Sequence, residues 1–346
     1  MKHTIQRIGM LLALAAAFIN AVAYDFEVDG IYYNILGDKT SVEVTYKESN
    51  DYGAVGSDYS GNVQIPEQLQ YDKKTYRVTE IGDSAFYRCE NLTSVTIPNS
   101  VTSIGESAFR ECSGLTSIEI PNSVTSIGES AFGDCESLMS MEIPNSVTII
   151  EYGTFRGCSS LTSLTIPNSI KVIGDCAFTE CTSLTSVTIP NSVLFIDDSA
   201  FEECSGLTSV SIGSSVEKIG EYSFLCENLQ QIECYAETPP VCVLDAFCDM
   251  DKRKCKLYVP KGCKEKYANA YEWMRFLNIF DTLESDSGVE SVTDGSDLSG
   301  MQVDVYTLEG QMVKKSVMTE SLQDELDKGI YVVRTADGKT RKINVK

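Results

Sequence analysis

The sequence predicts a solenoid of stacked 23-residue coils, with a parallel β-sheet and short helical corners, followed by a small C-terminal antiparallel β-sandwich. The unit IPNSVTSIGESAFRECSGLTSIE at Ile97–Glu119 returns with few changes at Ile120–Glu142. Such a period is typical of one supersecondary unit per repeat, stacked so that neighbouring units bury each other's apolar face. Phenylalanine recurs at a constant step of 23 residues, at positions 86, 109, 132, 155, 178, 201 and 224.

The N-terminal segment, residues 1–23, is typical of a cleaved signal peptide. It starts with basic residues, contains an apolar run from Ile8 to Ile19, and ends in a small-x-small cleavage site at residues 21–23. The apolar run is too short to span a bilayer comfortably. We therefore expect cleavage after Ala23, a secreted or outer-surface location, and no membrane span in the mature chain.

Residues 24–78 are predicted to form a β-rich N-terminal cap. Val42, Val44 and Tyr46 alternate with polar residues, which is the period of a half-buried strand. A solenoid needs a terminal element that covers its first apolar face and its open strand edge. We therefore interpret this region as structural.

Residues 79–236 are predicted to hold the repeats. The spacing of Leu115, Ile118 and Ile120 gives a short strand whose alternate side chains turn inward. A proline follows each such strand and ends it, because proline cannot donate a ladder hydrogen bond. Phe132 and Cys135 lie three residues apart, on one face of a single helical or 3₁₀ turn. This order of strand, turn and helical corner is the leucine-rich-repeat pattern.

The end of the solenoid is predicted to be a degenerate last coil with a helical C-terminal cap, residues 237–283. Lys261–Phe280 has the pattern of an amphipathic helix with Tyr267, Tyr271 and Met274 on one face. Such a helix would cover the open apolar end of the last coil.

Two further segments follow the cap. Residues 284–299 are acidic, small and polar, which predicts a linker. Residues 300–346 are predicted to form a compact domain of about five or six antiparallel strands, with the pair at 337–338 as a hairpin turn.

Composition and charge exclude several functions. The formal charge is −22, so the chain should be repelled by nucleic acid and by anionic lipid. Its one histidine, His3, lies in the expected signal peptide, so the mature chain cannot build a Ser-His-Asp site or an imidazole zinc site. No nucleotide-binding, hydrolase or C-x-x-C motif occurs. We expect no enzyme, cofactor or metal, and we interpret carboxylate pairs such as Glu202 and Glu203 as solvated charge.

Twelve of the thirteen cysteines fall into two groups. The first repeats with the phenylalanines, and its members would lie about 4.8 Å apart with parallel Cβ vectors, beyond the 3.5–4.5 Å that a disulfide needs. We interpret these as buried free thiols that pack as small hydrophobes: Cys89, Cys112, Cys135, Cys158, Cys181 and Cys204. The second group lies outside this column, and one or two disulfides stay open for it in an oxidising compartment: Cys226, Cys234, Cys242, Cys248, Cys255 and Cys263.

The outward strand positions form a flat surface of hydroxyl and acidic side chains. It could bind a repetitive partner such as a glycan or a fibrous protein. Alternatively, threonine and serine merely suit an exposed strand, since the surface lacks the aromatic and arginine anchors that usually carry binding energy. The candidate binding face consists of Thr93, Thr96, Thr116, Glu119, Met139, Glu142, Thr162, Thr165, Thr185, Thr188, Thr208 and Ser211.

The unit IPxSVTxIGxxAFxxCxxLxS resembles the BspA-like leucine-rich-repeat proteins, which are surface and secreted proteins of Bacteroidetes-type bacteria. The resemblance extends from Tyr24 to about Phe280. It implies extracellular adhesion, with host matrix proteins among the partners of some members, and no catalytic residues. The tail VDVYTLEGQMVKKSV…LDKGIYVVRTADGKTRKINVK is similar to the C-terminal sorting domains of type IX secretion. That resemblance implies an export address.

Together these features predict an exported, non-enzymatic adhesion or protein-binding protein that presents a leucine-rich-repeat surface to host or neighbouring-cell proteins. The alternative is a glycan-binding protein or a structural spacer of the cell surface. The identity of the partner, the oligomeric state and cleavage of the tail stay open.

Overall fold

The computed structural model describes residues 21–50, 53–54, 59–283, 302–306, 312–318, 326, 329–335 and 340–345. The expected signal peptide up to residue 20 and the expected linker, residues 284–299, lie outside the described residues. From residue 61 to residue 283 the chain forms stacked coils, and Ser140 pairs with Ser163 one repeat later. The predicted parallel solenoid with a 23-residue period is confirmed.

Each coil passes through two columns of parallel strands. Strand pairing is not continuous in either column, and in the second it is interrupted between residues 127 and 149. We call the first column the front sheet, and its pairing is interrupted around residues 115–120, where a bridge joins Thr96 to Glu119, and again between Ser163–Thr165 and Ser186–Ile189. Its strands are Gly61–Gln64, Leu92–Thr96, Ser140–Glu142, Ser163–Thr165, Ser186–Ile189, Ser209–Ile212, Gln231–Cys234, Lys256–Pro260 and Asn278–Leu283. We call the second the side sheet, and its strands are Ser103–Ile104, Ser126–Ile127, Ile149–Ile150, Val172–Ile173, Phe195–Ile196, Lys218–Ile219 and Val241–Cys242.

The N-terminal region forms a mostly antiparallel sheet that joins the side sheet. Ser41–Thr45 lies antiparallel to Ile31–Ile35 and parallel to Lys74–Ile81, whose end pairs with Ser103–Ile104. The solenoid therefore starts from a sheet edge that is already paired, as a cap requires. The remaining strands are Ala21–Val22, Phe26–Val28, Glu48–Asn50, Gly53–Ala54 and Gln68–Tyr71.

A column of stacked aromatic rings runs through the core. The eight phenylalanines from Phe86 to Phe247 are at most 1% exposed, and adjacent rings are nearly parallel with centroids 4.9–5.6 Å apart. Tyr59 packs against the first ring in a tilted arrangement with centroids 4.7 Å apart, and Trp273 lies 5.0 Å from the last ring, also tilted. Each stacked pair adds about 0.5–1.5 kcal/mol to the burial of its rings. The column therefore links both caps to the repeats.

The predicted helical corners are wrong, because the described repeats turn there without a helix. On either side of Phe109, Ser107 and Glu111 have left-handed backbones, with φ of 53° and 60°. The N–H groups of these three residues donate to carbonyls of the next coil over 2.7–2.8 Å. Those of Arg110 and Cys112 donate three residues back along the chain. Alternate hydrogen bonds between coils thus replace the continuous ladder that a helix needs.

The predicted helix over Lys261–Phe280 is also wrong in extent. The α-helix covers only Lys264–Asn269, a 3₁₀ turn covers Trp273–Arg275, and Asn278–Leu283 is the last front-sheet strand. The helix ends where Ala270 takes up extended backbone, with a ψ of 141°, and two residues later Glu272 has a φ of 65° and a fully buried carboxylate 2.9 Å from Arg275. This left-handed residue cannot continue a helix.

The C-terminal cap is held by polar atoms of buried aromatic rings. The Tyr267 hydroxyl donates to the carbonyl of Ala236 over 2.7 Å, and the Trp273 indole N–H donates to the carbonyl of Pro240 over 2.8 Å. Tyr271 and Met274, expected on the same face as Tyr267, are more than half exposed. The three side chains therefore do not share a face.

The tail forms a four-stranded antiparallel sheet. The strands, in spatial order, are Met312–Met318, Gln302–Tyr306, Gly329–Thr335 and Thr340–Val345. Val303, Val305, Val317 and Val333 form its buried cluster. The antiparallel character agrees with the prediction, but the described tail contains one sheet and not a sandwich.

Replacing Phe178 by alanine should destabilise the solenoid by about 3–5 kcal/mol, because it leaves a cavity in the middle of the aromatic column. Urea unfolding followed by circular dichroism measures this change. Thr185→Ala, an exposed substitution in the following strand region, is the control and should stay within about 0.5 kcal/mol. An unchanged unfolding midpoint for Phe178→Ala would contradict the role of the column.

Candidate functional site

The candidate binding face lies on the front sheet as two parallel rows. Thr93, Thr116, Met139, Thr162, Thr185 and Thr208 form the first row, and Thr96, Glu119, Glu142, Thr165, Thr188 and Ser211 form the second. Eleven of these side chains are exposed and Ser211 is half-buried. The strand register brings equivalent residues together in adjacent coils, as in the pairing of Glu142 with Thr165 and of Thr188 with Ser211. The structure therefore assembles a continuous surface from them.

Part of the hydroxyl chemistry of this face serves the fold. The Thr162 hydroxyl donates to the carbonyl of Met139 over 3.2 Å, and the Thr208 hydroxyl donates to that of Thr185 over 3.1 Å. These contacts add a side-chain hydrogen bond between successive coils. A structural role is therefore enough to explain threonine at these two positions. The carboxylates of Glu119 and Glu142, in contrast, are exposed to solvent.

The second row continues into an aromatic pair that sequence reasoning missed. Glu233 pairs with Tyr258 and Tyr258 pairs with Phe280 in adjacent strands, and the two rings stack with centroids 5.2 Å apart. The Glu233 carboxylate accepts hydrogen bonds from Gln231 and Tyr235 over 3.0 and 3.2 Å. The constant repeat spacing is lost in these coils, so the pattern could not align Tyr258 and Phe280 with the row.

The side sheet carries a second ordered surface, which we call the apolar row. Its members occupy one outward position in five successive strands: Ile149, Val172, Phe195, Lys218 and Val241. The earlier coils have Ser103 and Ser126 at this position. Ile149 is 41% and Val241 is 70% exposed, Val172 and Phe195 are half-buried, and the exposed, charged Lys218 holds the fourth position. The sheet therefore changes from a hydroxyl to a mainly apolar surface halfway along the solenoid.

A parallel row of mostly acidic residues, which we call the flanking row, lies three residues further along each coil. Its members are Tyr152, Asp175, Asp198, Glu221 and Leu244. The Asp175 carboxylate accepts the N–H of Asp198 over 2.9 Å, and the Asp198 carboxylate accepts that of Glu221 over 2.7 Å. These hydrogen bonds fix the acidic side chains beside the apolar row.

A groove at the C-terminal end of the apolar row adds to this surface. It is lined by Leu194, Val216, Tyr235, Pro239 and Val241, among others. One signal in the sequence could have found this region. The serine of SVTSIG becomes Ile, Val and Phe in SVTIIE, SIKVIG and SVLFID.

Comparisons with known proteins agree with this architecture. Residues 79–175 and 148–241 match the family model for the BspA type leucine rich repeat region, in six copies. Residues 79–241 are a BspA-type leucine-rich repeat region. The predicted resemblance is confirmed for this part of the chain. The match ends at residue 241, so the sorting-type tail stays a prediction.

Solved structures include similar proteins. A leucine rich cell surface protein from Faecalibacterium prausnitzii A2-165 is 32% identical, with a TM-score of 0.52, over 62% of this chain and 56% of that protein. The chain thus spans little more than half of that relative. A leucine rich repeat protein from T. pallidum is 28% identical, with a TM-score of 0.39, over 60% of this chain and 80% of that protein. No curated protein matches the chain.

Among the residues that the structure describes, carboxyl groups with raised pKa values occur at two places. Burial raises the pKa of Glu43 in the N-terminal sheet, and nearby Glu80 and Asp83 raise it further. Burial, together with Asp175, raises the pKa of Asp197 in the BspA-type repeats. Neither carboxyl lines the groove beside the apolar row or the groove under the N-terminal sheet. Within the described residues, no three metal-binding side chains are grouped to hold an ion, and no helix is long and apolar enough to cross a bilayer.

The repeat cysteines are buried free thiols, as predicted. Each thiol after Cys89 donates to the carbonyl of a phenylalanine one coil earlier, over 3.0–3.3 Å. Cys226 was assigned outside this column, but its thiol makes the same bond to Phe201 over 3.1 Å. Phe224 and Cys226 are two residues apart instead of three, and the turn between them accommodates this deletion. The six cap cysteines are free thiols in the structure, which therefore contains neither of the disulfides that stayed open for them: Cys226, Cys234, Cys242, Cys248, Cys255 and Cys263.

Burial also makes these thiols poor nucleophiles. It raises the pKa of Cys135 and of Cys204 to about 12. Since the thiolate is the reactive form, the column should be inert at neutral pH. Cys176 and Cys248 are the half-exposed cysteines, and partial burial with nearby Asp249 raises the pKa of Cys248.

Alkylation of the native protein with iodoacetamide should label Cys176 and, more slowly because its pKa is raised, Cys248, and leave the other eleven cysteines unlabelled. Mass spectrometry counts the adducts, and the double variant Cys176→Ser, Cys248→Ser should show none. After denaturation without reductant, all thirteen should react. Fast labelling of Cys135 in the folded protein, or a lower count after denaturation, would contradict this assignment.

Proposed function

We propose that this chain is an exported, non-enzymatic protein-binding protein that presents the surface of its repeats to proteins of a host or a neighbouring cell. The observation that carries the proposal is the division between interior and surface. The phenylalanine, cysteine and leucine columns fill the space between the sheets, and these side chains are at most 1% exposed from residue 86 to residue 207. The side chains available for chemistry in the repeats therefore form ordered rows on the outside.

Adhesion and a cell-surface location are supported by two lines. The repeat region belongs to the BspA type, and the similar protein from Faecalibacterium prausnitzii is a cell surface protein. The N-terminal segment has the sequence of a signal peptide. Cleavage after Ala23 would remove the strand Ala21–Val22, which pairs with Glu48–Asn50 in the uncleaved chain. The tail would serve as the export address.

The candidate binding face is the first surface to which we assign protein binding. Its rows extend over six coils, a distance of about 24 Å at the usual strand separation. Glu119 and Glu142 place two exposed carboxylates on it, which favours partners with basic surface residues. The rigidity of a stacked sheet lowers the entropy cost of binding, because few side chains have to be ordered.

Glycan binding is the second candidate, and one observation favours it. Phe280 is 40% exposed and stacks on Tyr258 at the C-terminal end of the front sheet. Polar side chains of Gln231 and Asn278 lie in the neighbouring row of the same strands. An aromatic ring beside amide groups offers a sugar both a flat apolar surface and hydrogen bonds.

The full chain should bind at least one immobilised extracellular-matrix protein saturably, and Glu119→Lys with Glu142→Lys should weaken that binding about tenfold by reversing the local charge. Surface plasmon resonance against matrix proteins and a glycan array measures both candidates in parallel. Lys74→Glu with Arg77→Glu, at exposed positions of the N-terminal sheet, is a matched control that alters two charges elsewhere.

The two candidates give different results with one further variant. Saturable glycan binding that is lost in Phe280→Ala but kept in the glutamate variant would replace protein binding by the second candidate. Binding to neither panel would contradict both and leave the solenoid as a spacer.

A further inference from the structure

We propose that the apolar row of the side sheet, with its flanking row, binds an extended polypeptide segment in which apolar side chains alternate with lysine or arginine. This inference rests on the proposed protein-binding function and assigns it a second surface, separate from the candidate binding face. Three features of this surface support the proposal: the position of its apolar side chains, their exposure and the charge around them.

The fold does not require an apolar side chain at these positions. Ser103 and Ser126 occupy the same outward position in earlier coils, and their strands pair in the same parallel register. Replacing serine by Ile149 or Phe195 therefore adds nothing that the stacking of coils needs. Exposed apolar area that is not used to stabilise the fold is typical of interaction surfaces.

The ends of the surface are the most exposed. Val241 is 70% and Leu244 is 50% exposed at one end, and Ile149 is 41% and Tyr152 is 44% exposed at the other. Asp175, Asp198 and Glu221 lie between Tyr152 and Leu244 in the flanking row. A binding segment would thus meet apolar anchors at both ends and carboxylates along the middle.

The dimensions of the surface fit an extended segment. Five strands spaced by about 4.8 Å give a row of about 19 Å, which equals about six residues of extended chain. Successive side chains of an extended segment point to opposite faces, so apolar residues at every second position would contact the row. The long apolar stems of lysine or arginine can fold back and bring their charges to the flanking carboxylates.

The local charge selects a cationic partner. The segments 148–152, 171–175, 194–198, 217–221 and 240–244 contain six acidic residues and two lysines. A second copy of this chain would bring a surface with the same negative excess, and like charges across an interface are costly. A basic and apolar segment neutralises this excess while it covers the apolar row.

Binding of the full chain to the amidated peptide VKVKVKV tests the proposal, measured by isothermal titration calorimetry. We expect saturable binding, with VEVEVEV and SKSKSKS at least about tenfold weaker because each lacks one of the two required features. The double variant Phe195→Ser, Val241→Ser should weaken binding of VKVKVKV about tenfold. It copies the serines of earlier coils, so circular dichroism should show an unchanged fold, and Ile149→Ser provides a second, milder variant.

A matched pair of variants separates the flanking row from general charge attraction. Asp198→Asn with Glu221→Gln should weaken binding and reduce its salt dependence, and the asparagine keeps the oxygen that accepts the Glu221 N–H. Glu27→Gln with Glu265→Gln, at exposed positions outside both surfaces, removes the same charge and should leave binding unchanged. Equal losses in both pairs, or equal binding of SKSKSKS and VKVKVKV, would overturn the proposal.

Two further results distinguish failure of this inference from failure of the proposed function. If matrix-protein binding persists while VKVKVKV does not bind, the second surface is wrong and the protein-binding function stands. If neither binds, both are wrong. Sedimentation that shows a dimer of the full chain, converted to monomer by Phe195→Ser with Val241→Ser, would assign the surface to self-association and overturn the peptide proposal.

Discussion

Hydrogen bonds between successive coils constrain every other feature of this structure. Strand residues pair with residues one repeat later, as Ser140 does with Ser163, and in the turns the N–H of Phe109 donates to the carbonyl of Ala131. Because both sheets and the turn are hydrogen-bonded to the next coil, an insertion or deletion can only be accommodated in the segments between them. The deletion of one residue before Cys226 is accommodated in this way, since Ser209 still pairs with Gln231 in the next coil.

This constraint explains why the interior column next to the aromatic rings is cysteine. The carbonyl of Phe86 accepts the N–H of Cys89 within its own coil and the thiol of Cys112 in the next, over 3.1 and 3.0 Å. Valine or alanine could fill the space but would leave the second lone pair of that carbonyl without a donor. Serine would donate, yet its hydroxyl is more costly to bury than a thiol. Cysteine satisfies both requirements.

The sequence predicted the interior of the repeats well because identical positions recur in every coil and each must be apolar. It predicted the corners poorly. The left-handed residues of one corner are Ser107 and Glu111, and glycine takes the two equivalent positions in one described coil, at Gly153 and Gly157, so the signal for the turn was confined to a single repeat. The bonds to the next coil that stabilise these backbones are not local, and local spacing cannot reveal them.

The sequence predicted that a cap covers each end of the solenoid, but it did not predict which residues of the caps contact the repeats. Tyr59 starts the aromatic column with a ring 4.7 Å from Phe86, and its hydroxyl accepts the N–H of Tyr32 and donates to the carbonyl of Thr45. Trp273 ends the column and bonds to Pro240. These contacts occur once, so a repeat pattern holds no information about them. The same holds for the buried carboxylate of Glu272, which lies within the span of the predicted helix.

Outward side chains do not have to fit between stacked coils, so their residue types can vary from coil to coil. The front sheet and the side sheet differ in how far they vary. On the front sheet, threonine and serine persist from coil to coil, and two of the threonines contribute hydrogen bonds to the stacking. On the side sheet, serine gives way to isoleucine, valine and phenylalanine while the inward Ile127, Ile150 and Ile173 stay the same residue type. A change confined to the exposed side of a strand cannot improve the packing beneath it. We therefore attribute the apolar row to a contact outside the chain, and its acidic flank favours a basic partner for that contact.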